Sequence, residues 1–154
     1  MQIRKANKTD LPGITRCARD FFQYADFAKY NLVLDEPSFE ATVQKHMERG
    51  VVLLLVDDDN TVRGGIAGAP SPWGFNSAVT IMLELFFWVD PEYRGLSAFR
   101  MLKEFEKASR SLGVDKIGMI AVNTYLADAV GKMYERTGYK LLESFYIKDM
   151  GVSS

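Results

Sequence analysis

The sequence predicts an α+β fold: a mixed, mostly antiparallel central sheet with about four helices on its two faces. Three observations carry this. Apolar residues recur at helical spacing over 11–25 and again from 38 to 50, ahead of the strands. Strand-like runs then fill 51–89 with no room for crossover helices, and helix and strand patterns alternate from about 98 onward. Helices set before and after consecutive antiparallel strands mark the α+β class. No glycine-rich turn follows the first strand, so a doubly wound dinucleotide-binding sheet is excluded.

Residues 2–6 read as a short strand. Thr9-Asp10 is expected to cap a helix that carries Leu11, Ile14, Ala18, Phe21, Phe22 and Ala25, with Pro12 in the first turn, where a missing N–H costs nothing. A second helix is expected from Ser38 as N-cap to near Gly50, with Phe39, Val43, His46 and Met47 on one stripe. Val51–Val56 is a short, β-branched run that suits a buried strand. It is paired through the polar turn 57–60 with a strand over 61–69. Gly64-Gly65 signals a bulge or a close backbone approach. Residues 23–37 and 69–78 read as irregular, and 79–89 as the longest strand. A helix over 98–112 with Phe99, Leu102, Phe105 and Leu112 on one face follows. Then come a strand over 116–122, a helix over 126–136, and a last strand or pair of strands over 139–148.

At 154 residues the chain is expected to be one domain, 1–154. Apolar residues make up 47% and charged residues 25%, a globular balance rather than a disordered one. Nineteen Lys and Arg against 20 Asp and Glu give a net charge of −1. That offers no general attraction to polyanions, so neither a nucleic acid nor a membrane surface is the expected partner. One cysteine, Cys17, and one histidine, His46, cannot build a disulfide or a structural zinc site. With no apolar signal core at the start, a cytoplasmic protein without a metal is expected.

The stretch 83–97 reads as strand, tight turn and helix start. Backbone N–H groups from Arg94 through Gly95, Leu96, Ser97 and Ala98 to Phe99, ahead of the positive end of a helix, would form an anion nest suited to a diphosphate. The same residues also fit a plain strand-to-helix connection with a solvated arginine. Glu84 lies in an otherwise apolar strand with the parity of Met82, Phe86 and Trp88. Lining a cleft, its carboxyl would titrate near neutrality, as suits a general base. On an edge it would simply face water. Tyr134, one turn after Val130, reads locally as an aromatic at the rim of the core.

Taken together, these segments resemble the GNAT family of N-acetyltransferases over nearly the whole chain. The likeness begins with Ile3-Arg4-Lys5-Ala6 and Thr9-Asp10-Leu11-Pro12. It is sharpest in Leu85-Phe86-Phe87-Trp88-Val89-Asp90-Pro91-Glu92-Tyr93-Arg94-Gly95, similar to the family's acetyl-CoA-binding motif. It closes with Val122-Asn123, Ala129 and Met133-Tyr134-Glu135-Arg136-Thr137-Gly138-Tyr139. The resemblance implies a three-layer acyl-CoA N-acyltransferase-like fold. It implies transfer of acetyl from acetyl-CoA, as co-substrate, directly to a primary amine of a small molecule or peptide, without a metal. By the same likeness the backbone of Trp88 and Val89 would pair with the pantetheine arm and offer an N–H to the thioester oxygen. Residues 94–99 would hold the pyrophosphate, and Asn123 would bond the pantetheine or a bridging water. Glu84 would accept the amine proton, and Tyr134 would protonate the departing thiolate. A homodimer is common in the family.

The phosphate loop departs from the family pattern of Arg/Gln-x-x-Gly-x-Gly/Ala. Ser97 stands for the middle glycine and Phe99 for the last small residue. The alternative reading is therefore a catalytically inactive GNAT-fold binding or structural module. On the acceptor side, Phe22, Tyr24, Phe27, Tyr30 and the loop Ala69–Phe75 gather aromatics that would form a lip for something partly apolar, present a partner surface, or fill core.

Overall fold

Residues 1–151 are described in a computed structural model of the chain. The last three residues of the expected 1–154 domain lie outside the described residues. Five strands form one sheet in the order β1-β2-β3-β4-β5: β1 (Gln2–Lys5), β2 (Val51–Val56), β3 (Val62–Trp73), β4 (Asn76–Val89) and β5 (Lys116–Gly118). The first four pair antiparallel and β5 pairs parallel to β4, giving the mixed sheet expected. The helices are α1 (Leu11–Ala25), α2 (Glu36–Arg49), α3 (Leu96–Ser111) and α4 (Ala127–Arg136).

Both faces of the sheet are covered. Ile14 and Cys17 of α1 and Val43 of α2 pack with Val52, Leu54, Val56, Phe86 and Trp88. Met101, Leu102 and Phe105 of α3 and Tyr134 of α4 pack with Val51, Leu53, Leu55, Ile66, Met82 and Val89 on the other face. Every residue of β2 is therefore buried, and a strand apolar at every position is what two covered faces require.

Several expected boundaries move, each for a local reason. Asn7 caps the chain entry, with its side chain accepting from Thr9 N–H; Asp10 accepts from Asn7 N–H and from Arg4 at 2.8 and 2.9 Å. Helix α2 starts at Glu36, ahead of Ser38, because Asp35 is the cap and accepts from Ser38 N–H at 3.0 Å. Residues 69–73 continue β3 rather than forming a loop. Pro70 and Pro72 are tolerated there because β2 ends at Val51, opposite Gly68, leaving that side of β3 without a neighbour. Phe99 and Leu112 do not join the buried face of α3; they are 40% and 49% exposed. Strand β5 stops at Gly118, short of the expected 122, and the expected strand over 139–148 is absent: residues 139–151 hold no regular element.

The irregularity that matters most lies within β4. Ala67 pairs with Phe86 and Gly68 with Glu84, so Leu85 is an extra residue, a β-bulge. Gly68 makes room for it: a Cβ there would lie 2.6 Å from the Leu83 carbonyl oxygen and 2.8 Å from the Phe105 ring.

Candidate active site

The bulge reverses the strand's parity. Met82 packs on the α3/α4 side, whereas Phe86 and Trp88 pack on the α1/α2 side. The expected common face of Glu84, Phe86 and Trp88 is thereby corrected. Glu84 lies two residues from Met82 and before the extra residue, so it shares the α3/α4 side with Tyr134. Past the bulge, Phe87 and Val89 take over that side.

Strands β4 and β5 pair only from Ile81–Lys116 to Leu83–Gly118 and then part. From Glu84 to Val89 the outer edge of β4 has no strand partner. Antiparallel ladders alternate the direction of their backbone groups, and Asp90 N–H donates to the Arg63 carbonyl at 2.8 Å. Two residues back, Trp88 thus spends its N–H and C=O on Gly65. Phe87 and Val89 point theirs into the opening. Trp88 therefore faces Gly65 rather than the opening, against its expected backbone role, and Phe87, which sequence reasoning missed because a bulge leaves no compositional mark, faces the opening together with Val89.

Both candidate side chains meet at Ile120, just beyond the parting of the strands. Ile120 N–H donates to Glu84 Oε2 at 2.9 Å, and the Tyr134 hydroxyl donates to the Ile120 carbonyl at 3.1 Å. Burial pushes the Glu84 carboxyl up to about 8, with the bond from Ile120 N–H pulling the other way. Burial, and then the charge of Glu84, raise the Tyr134 hydroxyl well above its ordinary value. At neutral pH this is a mostly protonated carboxyl, poised to lose its proton, beside a phenol that keeps its own.

After β4 the chain turns through Pro91–Tyr93 into α3. Gly95, at φ +90°, takes a left-handed conformation that favours glycine. The amides of Gly95, Leu96, Ser97 and Ala98 have no acceptor among the described residues, while Phe99 N–H bonds the Gly95 carbonyl at 3.2 Å. Free amides at the start of a 16-residue helix suit an anion. Ser97 is half-buried, and the Phe99 ring is exposed with the Lys103 ammonium 5.7 Å from its centre.

Arg94 does not reach outward. Its Nε–H donates to the Val89 carbonyl at 2.9 Å, and its guanidinium lies 4.8 Å from the Trp88 ring centre and 5.4 Å from that of Tyr24. Asp90, buried, anchors this corner: Arg16 grips it with two bonds of 2.9 and 3.0 Å, and Trp88 Nε1–H donates to it at 3.0 Å. The Arg16–Asp90 pair was also missed. Its only signal in the sequence is a charge set between the buried Ile14 and Cys17.

Asn123 is not at a strand end. It lies five residues past β5 in the irregular segment before α4, and it is exposed. Its neighbour Thr124 ties that segment to α1 through a 2.5 Å bond with the Tyr24 hydroxyl. Of the aromatics expected on the acceptor side, Phe22 and Phe27 pack edge to face, and Trp73 meets Phe75 at a tilted angle at the exposed β3–β4 tip. His46 bonds the Thr42 carbonyl within α2. Burial pushes the Cys17 thiol up to about 12, which leaves it inert. Among the described residues no cluster of metal-ligating side chains forms, and no helix is long and apolar enough to cross a membrane. Two cavities of about 400 and 160 Å3 lie elsewhere, between β1 and α3 and between α3 and β5.

Comparison with known proteins agrees with this architecture. Similar solved structures include a mutant of the BH1408 protein from Bacillus halodurans, at TM-score 0.74 and 18% identity, covering 97% of this chain and 99% of that one. A ribosomal-protein-alanine N-acetyltransferase from Brucella melitensis biovar Abortus 2308 matches at TM-score 0.72 and 14% identity, covering 97% of this chain and all (100%) of that one. An aminoglycoside acetyltransferase from an uncultured soil metagenomic sample matches at TM-score 0.69 and 12% identity, covering 99% and 98%. At these identities the likeness concerns the fold. No curated sequence matches the chain. Residues 17–139, most of the chain, match the family described as acetyltransferase (GNAT), and the chain belongs to that family.

Proposed function

We propose that this protein is an acetyl-CoA-dependent N-acetyltransferase that moves acetyl directly to a primary amine of a small molecule or peptide. The observation that carries the reading is the meeting of Glu84 and Tyr134 at Ile120, where β4 parts from β5. The open edge and the helix start suit the co-substrate. The N–H and carbonyl of Phe87 and the N–H of Val89 suit an amide-bearing arm, and the amides of Gly95 to Ala98 offer donors to a pyrophosphate.

Acetyl-CoA supplies an acetyl group activated as a thioester. Glu84 takes the proton that an ammonium must lose before it attacks, a task suited to a carboxyl titrating near 8. An outward N–H of Val89 stabilises the charge that develops on the carbonyl oxygen. Tyr134, kept neutral, releases its bond to the Ile120 carbonyl and donates to the leaving sulfur. The fold brings the two substrates together, which supplies most of the remaining acceleration. The Brucella and metagenomic neighbours are named for a ribosomal-protein alanine and an aminoglycoside, and an amine acceptor here is in keeping with both.

The second reading, an inactive module, draws on Arg94, whose bond to the Val89 carbonyl occupies part of the open edge. A thermal melt with saturating acetyl-CoA, with desulfo-CoA and ATP as controls, followed by an amine panel, separates the two. Binding at about 100 times the dissociation constant adds about 2.7 kcal/mol and raises the midpoint by roughly 5–10 °C. No shift refutes the acetyltransferase reading. A CoA-specific shift with no transfer to any amine leaves the module.

A further inference from the structure

Charge is nearly absent from the walls of the opening. No residue from Gly64 to Leu83 is charged, and none from Ile117 to Ala127. These stretches supply most of β3, the part of β4 ahead of the bulge, and the segment that leaves β5. Glu84 follows the first stretch directly and accepts from Ile120 N–H in the second, so it is the carboxyl they enclose. Arg94, on the rings of Trp88 and Tyr24, sets a cation at the same opening.

Beside that carboxyl lies bare apolar surface. Met82 is buried under α3 and α4, and Leu83, next in the strand, points to the other face. There α1 and α2 cover Phe86 and Trp88 but leave Leu83 49% exposed. Its partners in the ladder are Ala69 and Gly118, so neither neighbour has a side chain long enough to reach over it. Ile120, 54% exposed, and Tyr125, 82% exposed with its ring centre 5.8 Å from that of Tyr24, carry the apolar surface past the parting of the strands.

We propose that the acceptor is a monoamine on an apolar body, with its amine directed at Glu84 and its body laid on Leu83, Ile120 and Tyr125. This rests on the acetyltransferase reading and names the substrate class of the same site. A polyamine, an aminoglycoside or a lysine-rich peptide brings further ammonium groups. Each would shed water against two stretches that offer it no carboxylate. Arg94 adds repulsion between like charges. Lys116, opposite Ile81 in the ladder, is a second cation, and Asp115 beside it is already held by Thr80 N–H at 2.8 Å. An alkyl or aryl body meets the opposite situation, because every methylene laid on this surface leaves water and costs no polar group its partner.

Transfer by the full chain to butylamine, hexylamine, octylamine, spermidine and kanamycin tests this, beside the acetyl-CoA melt. Along the alkyl series kcat/KM should rise about threefold per methylene. Hexylamine should exceed spermidine and kanamycin by about 10-fold or more. Leu83→Glu puts a carboxylate on the bare surface, and it should lower the value for octylamine and raise that for spermidine, each by about 10-fold, while the acetyl-CoA melt shift persists. The wild-type series decides by itself where that variant does not fold. A series flat in chain length, or a preference for spermidine or kanamycin, overturns the inference and leaves the acetyltransferase reading in place. A CoA-specific shift with transfer to none of the alkylamines overturns it as well. No CoA-specific shift removes the acetyltransferase reading, and the inference falls with it.

Discussion

Replacing Glu84 by Gln tests the electrostatics of the site without any substrate. In the folded chain the carboxyl titrates near 8, and in the unfolded chain near the ordinary 4.5. Between those values the unfolded chain has released the proton while the folded chain keeps it. Stability contributed by the neutral carboxyl is therefore complete below about 4.5 and is lost as pH rises through about 8. At about 1.36 kcal/mol per pH unit the loss has a ceiling of about 5 kcal/mol. Partial exposure of the side chain should hold the realised figure to about 2–3 kcal/mol. Gln has nearly the shape of the protonated acid and does not titrate. Urea unfolding of both proteins from pH 5 to 9 should find them nearly equal at pH 5 and the Gln variant more stable by about 2–3 kcal/mol at pH 9, with unchanged slopes. Asp10, Asp35 and Asp57, whose hydrogen bonds hold them below the ordinary carboxylate range, titrate outside the window, and they cancel in the difference. A difference independent of pH, or a wild type that gains on the variant as pH rises, would show an ionised Glu84 throughout. The case for it as a tuned base would then fail.

The remaining expectations are separate in kind. Transfer by the wild type should rise with pH and level off above about 8, and the Gln variant should lose that limb, as rates against pH will show. Tyr134→Phe should cost about 1 kcal/mol for the bond to the Ile120 carbonyl and lower turnover about 100-fold while the acetyl-CoA melt shift persists; an unchanged turnover removes Tyr134 from the chemistry. Phe99→Ala should leave stability within about 1 kcal/mol, because the ring is 40% exposed, and should tighten CoA binding several-fold by titration calorimetry; weaker binding would mean that the ring supports the loop. Arg16→Leu should cost about 3 kcal/mol by leaving buried Asp90 with only Trp88 and a distant Arg63, and the loss would be read from urea unfolding.

What could be read from the sequence is what periodicity records. The Val51–Val56 run, the stripe on α1, the Leu102 and Phe105 part of the stripe on α3 and the turn at 57–60 each follow from local spacing, and the structure keeps them in place. The β3 extension could not be read this way, because Pro70, Ser71, Pro72 and Gly74 carry loop chemistry. Whether a proline is tolerated depends on which neighbour stops short, and that is a property of β2. The tail shows the converse. Residues 139–148 have the composition of a strand, but composition states only that a segment fits a pleated surface, not that an edge lies waiting in the same chain.

The candidate site divides along the same line. A carboxylate inside an apolar strand, a free helix start after Gly95 and a tyrosine near the core are local facts, and each points at the site by itself. Their meeting is not local. Met82 and Phe86 share a parity in the sequence but pack on opposite faces, because Leu85 is slipped into the ladder where Gly68 leaves room. That one extra residue sets Glu84 on the side of Tyr134, turns Phe87 and Val89 toward the opening, and comes just where β5 diverges. A site built on a register shift is specified by the strand opposite it, so the residue that places the acid is a glycine with no chemistry of its own.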